Sequence, residues 1–85
     1  MKTTQLYQHL KEIAERLDIS VSEQNLRATG VNAKSGLCRV KGKPVFIMDK
    51  HLPIRQKTEI LADCLRQMPL DDLYLVPAVR NYLEH

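Results

Sequence analysis

Four consecutive apolar residues, Val45-Phe46-Ile47-Met48, stand directly after the tetrapeptide Lys41-Gly42-Lys43-Pro44. No other feature restricts the chain so much. A continuous β-favouring run of this length reads as a central strand covered on both faces. Gly42 can take the positive backbone angle of a tight turn, and Pro44 is harmless at the start of a strand, where its missing N–H is not needed. Upstream, Cys38 and Val40 alternate with Arg39. Residues 37–48 are therefore expected to form an antiparallel hairpin with Cys38 and Val40 turned toward the core.

Such a hairpin needs helices to lie against, and the spacing of apolar residues supplies them. Leu6, Leu10, Ile13, Ala14 and Leu17 line one face of a helix that Thr3 or Thr4 can cap. Pro53 opens a second helix near 53–68, where Ile54, Thr58, Leu61, Leu65 and Met68 share a stripe widened by Ile60 and Cys64, and Pro69 ends it. Ile19-Ser20-Val21-Ser22 alternates with the period of a short edge strand, residues 24–35 read as a polar loop, and Pro77 can start a short last helix through Tyr82. The expected architecture is α+β: an N-terminal helix, a small, mainly antiparallel three-stranded sheet, a second helix and a short C-terminal helix, forming one domain over residues 1–82. Its core is expected at Leu10, Ile13, Leu17, Val40, Val45, Ile47, Leu61 and Leu65. Leu83-Glu84-His85 reads as the start of a purification tag, so His85 is left out of the chemistry.

Composition narrows the class. With 85 residues, 44% apolar and 27% charged, the chain suits one globular core and is neither disordered, collagen-like nor disulfide-dense. No apolar run is long enough to cross a bilayer, and Met1 to Gln5 lacks a signal-peptide stretch. A cytoplasmic protein with no membrane partner is expected.

Zinc takes thiolate and imidazole ligands in close sequence pairs, but Cys38, Cys64, His9 and His51 are scattered, so no metal site and no cofactor are expected. For nucleophilic catalysis only Cys38 with His51 and Asp49 can be assembled, and a core-facing thiol resists ionisation; no catalytic residue is assigned and an enzyme is not expected. Glycines at 30, 36 and 42 fit no phosphate loop. Charge is more informative. Between Arg27 and Lys57 lie eight basic residues and one acid, Asp49, within a net charge of +3. Arg27, Lys34, Arg39, Lys41 and Lys43 are candidate phosphate contacts for a nucleic acid, although lysines on a hairpin also serve simply to keep an edge solvated.

The stretch Phe46-Ile47-Met48-Asp49-Lys50-His51-Leu52-Pro53-Ile54-Arg55, continuing to Leu61-Ala62-Asp63-Cys64-Leu65, resembles the centre of the ImmA/IrrE-type zinc metallopeptidase domain. In that family a buried strand and a Leu-Pro turn lead into a helix with two zinc-binding histidines four apart and a glutamate base. Here Asp63, Cys64 and Gln67 occupy the first histidine, glutamate and second histidine positions, so the resemblance implies a scaffold emptied of its catalytic motif. From Gly36 to Lys43 and on through Tyr74 to Arg80, the chain also resembles small uncharacterised bacterial proteins of similar length, which implies no activity. The expected role is a non-catalytic protein-interaction module, with a protein partner or a homodimer formed through the short edge strand and the apolar Leu73-Tyr74-Leu75-Val76 run. The alternatives are nucleic-acid binding through Arg39–Lys43 and a degenerate zinc-peptidase-like domain.

Overall fold

A computed structural model describes residues 1–26 and 35–84 of the chain. The order is α1 (Thr3–Arg16), β1 (Ser20–Gln24), β2 (Gly36–Val40), β3 (Lys43–Asp49), α2 (Ile54–Arg66) and α3 (Pro77–Leu83). This is the α+β arrangement the pattern predicts, with both terminal helices present.

Local chemistry sets most boundaries. The capping residue of α1 is Lys2, one residue before the expected Thr3 or Thr4, and the Lys2 backbone N–H donates to Gln5 Oε1 at 3.0 Å. Thr3 and Thr4 lie inside the first turn. At the other end Asp18 takes a positive φ of 63° and the Ile19 N–H reaches back to the Ala14 carbonyl at 2.8 Å, closing the helix and aiming the chain into β1. Lys41 and Gly42 have φ of 54° and 81°, a two-residue turn whose twist matches the flanking strands. The hairpin therefore closes at Val40 opposite Lys43.

The sheet order is β1-β3-β2. β2 pairs antiparallel with β3, whereas β1 pairs parallel with β3, so the sheet is evenly mixed rather than mainly antiparallel. The physical gain is clear: the most apolar strand sits in the centre, with both of its edges hydrogen-bonded.

Among the described residues, the helices cover one face of that sheet. Phe46 and Met48 point the same way by strand alternation and join Tyr7, Leu10, Ile13, Ala14, Leu61, Ala62, Leu65 and Val79 in one buried cluster. Of the expected core, Leu10, Ile13, Leu61 and Leu65 are buried, while Leu17 is half-buried at its margin. The expectation fails for the hairpin. Val40 is 48% exposed, Val45 and Ile47 are half-buried, and none of the three joins the cluster. The helices pack against the Phe46–Met48 side alone, and a four-residue apolar run does not say on which side that will be.

Candidate functional site

The open side of the sheet and its β2 margin form the candidate site. Two backbone bonds fix the parity of β3. The Asp49 N–H donates to Ser35 Oγ at 2.9 Å on the β2 side, and the Lys50 N–H donates to the Gln24 carbonyl at 3.0 Å on the β1 side. Odd-numbered β3 residues thus address β2, and even-numbered ones address β1. Because Gly36 lies opposite Ile47 and Cys38 opposite Val45, the peptide groups of Gly36, Cys38 and Val40 turn inward to β3. Those of Leu37 and Arg39 turn outward. β2 is an edge strand, and among the described residues no strand lies beyond it.

Side chains add to the character of this margin. Leu37, in register with Phe46, is on the helix side yet 46% exposed; Cys38 and Val40 are exposed on the open side. Cys38 is thus not the core thiol its alternation suggested: its register with Val45 places it on the face away from the helices, where it is exposed. Its Sγ lies 3.9 Å from the Gly36 carbonyl.

The three candidate basic residues within the described range share the hairpin turn. Arg39, Lys41 and Lys43 are exposed at the hairpin turn, where Arg39 Nη1 donates to the Gly42 carbonyl at 3.3 Å. Beside them an open recess is walled by Gly42, Lys43 and Pro44 on one side and by Glu15 and Asp18 on the other, so carboxylates neighbour the cations. Lys50 and Arg55 sit at the far end of β3, roughly 20 Å from the turn at a strand's rise per residue. Arg27 and Lys34 lie outside the described residues, as does most of the expected 24–35 loop; of that stretch Gln24 ends β1 and Leu26 is buried.

The arrangement of Cys38, His51 and Asp49 is not assembled either. Cys38 is four β3 positions from Asp49 in register, roughly 13 Å along the sheet. The Asp49 carboxylate instead accepts the His51 backbone N–H at 3.0 Å and shapes the turn into α2. On α2, Asp63 is exposed and pairs with Arg66 Nη1 at 2.6 Å, Gln67 is the exposed capping residue, and Cys64 is half-buried, with burial pushing its thiol pKa up. Arg66 also donates to the Leu83 and Tyr82 carbonyls, each at 3.0 Å, so the Asp63–Arg66 pair fastens α3 to α2. Among the described residues no three His, Cys, Asp or Glu side chains are grouped to hold a metal ion, and no helix is long and apolar enough to cross a membrane.

One polar cluster was not foreseen. Glu23, on the helix side of β1 in register with Met48, accepts from Lys57 Nζ at 2.5 Å and from the Tyr7 hydroxyl at 3.3 Å. It joins α1, β1 and α2. The Lys57 hydrogen bond holds the Glu23 carboxyl below its ordinary pKa, while burial and the Glu23 charge push Tyr7 up. Lys11 Nζ lies 4.9 Å above the Tyr7 ring and adds positive charge nearby. The sequence pattern ends the strand at Ser22 and starts the loop at Gln24, leaving Glu23 unassigned. Its role becomes visible only once parallel pairing extends β1 to Gln24.

No family model, no curated protein and no solved structure matches the chain.

Proposed function

We propose that this protein is a non-catalytic interaction module that takes an extended protein segment along the outer margin of β2. The observation that carries this reading is the outward pair of peptide groups at Leu37 and Arg39 on an edge strand with exposed Leu37 and Val40. An added strand gains main-chain hydrogen bonds there, and alternate side-chain positions supply selectivity. The basic turn residues Lys41 and Lys43 continue past that margin. The split of the cations, with Lys57 committed to Glu23, favours a protein segment over a nucleic-acid backbone. The resemblance of the central region to a metallopeptidase domain accords with this reading, since α2 then serves as scaffold, with Asp63 committed to Arg66.

Site-specific photo-cross-linking in the producing cell tests it. A photoreactive side chain at position 37 should give discrete protein adducts, while one at Glu12, on the exposed side of α1, should give none. Absence of adducts at 37, or an equal pattern at both sites, overturns the proposal.

A further inference from the structure

The margin of β2 has a symmetry of its own. Outward peptide groups at Leu37 and Arg39 flank Cys38, one residue on either side. We infer that the segment bound there is the β2 strand of a second copy of this chain, antiparallel about a two-fold axis through Cys38, giving a continuous six-stranded sheet. This inference rests on the edge-binding reading above.

Register is the first argument. With Cys38 opposite Cys38 of the second copy, each Leu37 faces the other copy's Arg39, and the two pairs exchange four hydrogen bonds. Every outward peptide group of β2 is then satisfied. Sliding the strands so that Leu37 faces Leu37 keeps only one such pair. Sliding the other way sets Arg39 against Arg39, opposing two cations directly. A one-residue slip matches inward groups with outward ones and loses the bonds.

Side-chain fit agrees with that register. On the open face Val40, 48% exposed, falls opposite Gly36 of the second copy, where nothing lies within 4 Å of the position a Cβ would occupy. On the helix side the exposed Leu37 meets the methylene stem of Arg39. The Arg39 guanidinium is drawn toward its own Gly42 carbonyl, away from the axis. At the axis stands Cys38, small, uncharged and exposed. It occupies a position that is not hydrogen-bonded across the axis, where Cα atoms approach to about 4.5 Å, within the reach of a disulfide.

Two properties follow. A join between five-residue strands is small, below about 1,200 Å² in total, so assembly is a concentration-dependent equilibrium. Each copy carries +3, so salt screens the repulsion and strengthens the dimer, opposite to the salt response of an acidic peptide bound at the basic turn.

The test uses purified chain bearing Cys64→Ala, leaving Cys38 as the single thiol. Light scattering under reductant should show dimer growing with protein concentration and with salt. Diamide should then link the copies: two thiols join as a disulfide, and their two electrons and two protons reduce the diazene to a hydrazine. Leu37→Pro removes an outward N–H and the Leu37 side chain from each copy, both on the joining margin, and should cut dimer formation about tenfold or more while the thermal melt still shows a folded chain. In a Cys38→Ser, Cys64→Ala background, Gly36→Cys should not link to itself but should link to a chain carrying Val40→Cys. A chain that stays monomeric at high concentration and salt, or a Cys38 yield no higher than that of a single cysteine placed at Glu12, overturns the inference. If adducts of another mass still form at position 37 in the cell, edge binding stands and the partner is a different protein; if none form, both readings fall.

Discussion

The two sides of β3 differ more than its sequence does. Phe46 and Met48 are 3% and 0% exposed and share one buried cluster with residues of all three helices, whereas Val45 and Ile47 keep partial exposure beside Cys38 and Val40. All four β3 residues have similar apolar character. Apolarity therefore made β3 the central strand, but the helices had area for one face only. The covered side carries the stability of the fold, and among the described residues no helix packs on the other side or beyond the β2 margin.

Truncation separates the two sides most sharply. Phe46→Ala should destabilise the protein by about 3–5 kcal/mol in denaturant unfolding, and Ile47→Ala by only about 1–2 kcal/mol. Equal losses would show that the open face is covered in solution. Next in size are the polar fastenings. Arg66→Ala removes hydrogen bonds to the Leu83 and Tyr82 carbonyls and should cost about 1–2 kcal/mol, with the amides of α3 losing protection in hydrogen exchange. Arg39→Ala, on the free margin, should stay within about 0.5 kcal/mol of the parent under conditions where the chain is monomeric.

Glu23 joins the covered side through charge, so it gives that side a pH dependence. Its folded-state pKa lies below the ordinary value of 4.5, with the Lys57 hydrogen bond as the main cause. Its contribution is fully present above that ordinary value and is lost as pH falls through the lower folded-state value. Glu23→Gln should cost about 1 kcal/mol at neutral pH and should lessen the fall in stability on the acid side. An unchanged acid slope would show that the carboxylate contributes nothing there. The smallest effects belong to the two non-glycine residues at positive φ. Asp18→Gly and Lys41→Asn should each raise stability by about 0.5–1 kcal/mol, read as a higher melting temperature, because they relieve left-handed backbone without touching either face.

Helix periodicity, the tight turn at Gly42 and the prolines that open α2 and α3 were legible because each depends on residues within a turn of one another. The candidate site was less so. Alternation alone establishes that Cys38 and Val40 share a side but not which side the helices take. The eight cations looked like one cluster because they are close in sequence. β3 then carries Lys50 and Arg55 away from the hairpin turn, and Lys57 turns to Glu23.

By itself, then, the sequence determined the elements, their order and the apolar stripes of α1 and α2, since these follow from short-range backbone preference and the spacing of side chains. Tertiary structure alone decided that β1 runs parallel beside β3, that Glu23 meets Lys57 and Tyr7, and that Leu37 and Arg39 offer their peptide groups outward. Those outcomes depend on pairings between residues far apart in the chain, where similar side chains permit several arrangements and packing area selects one.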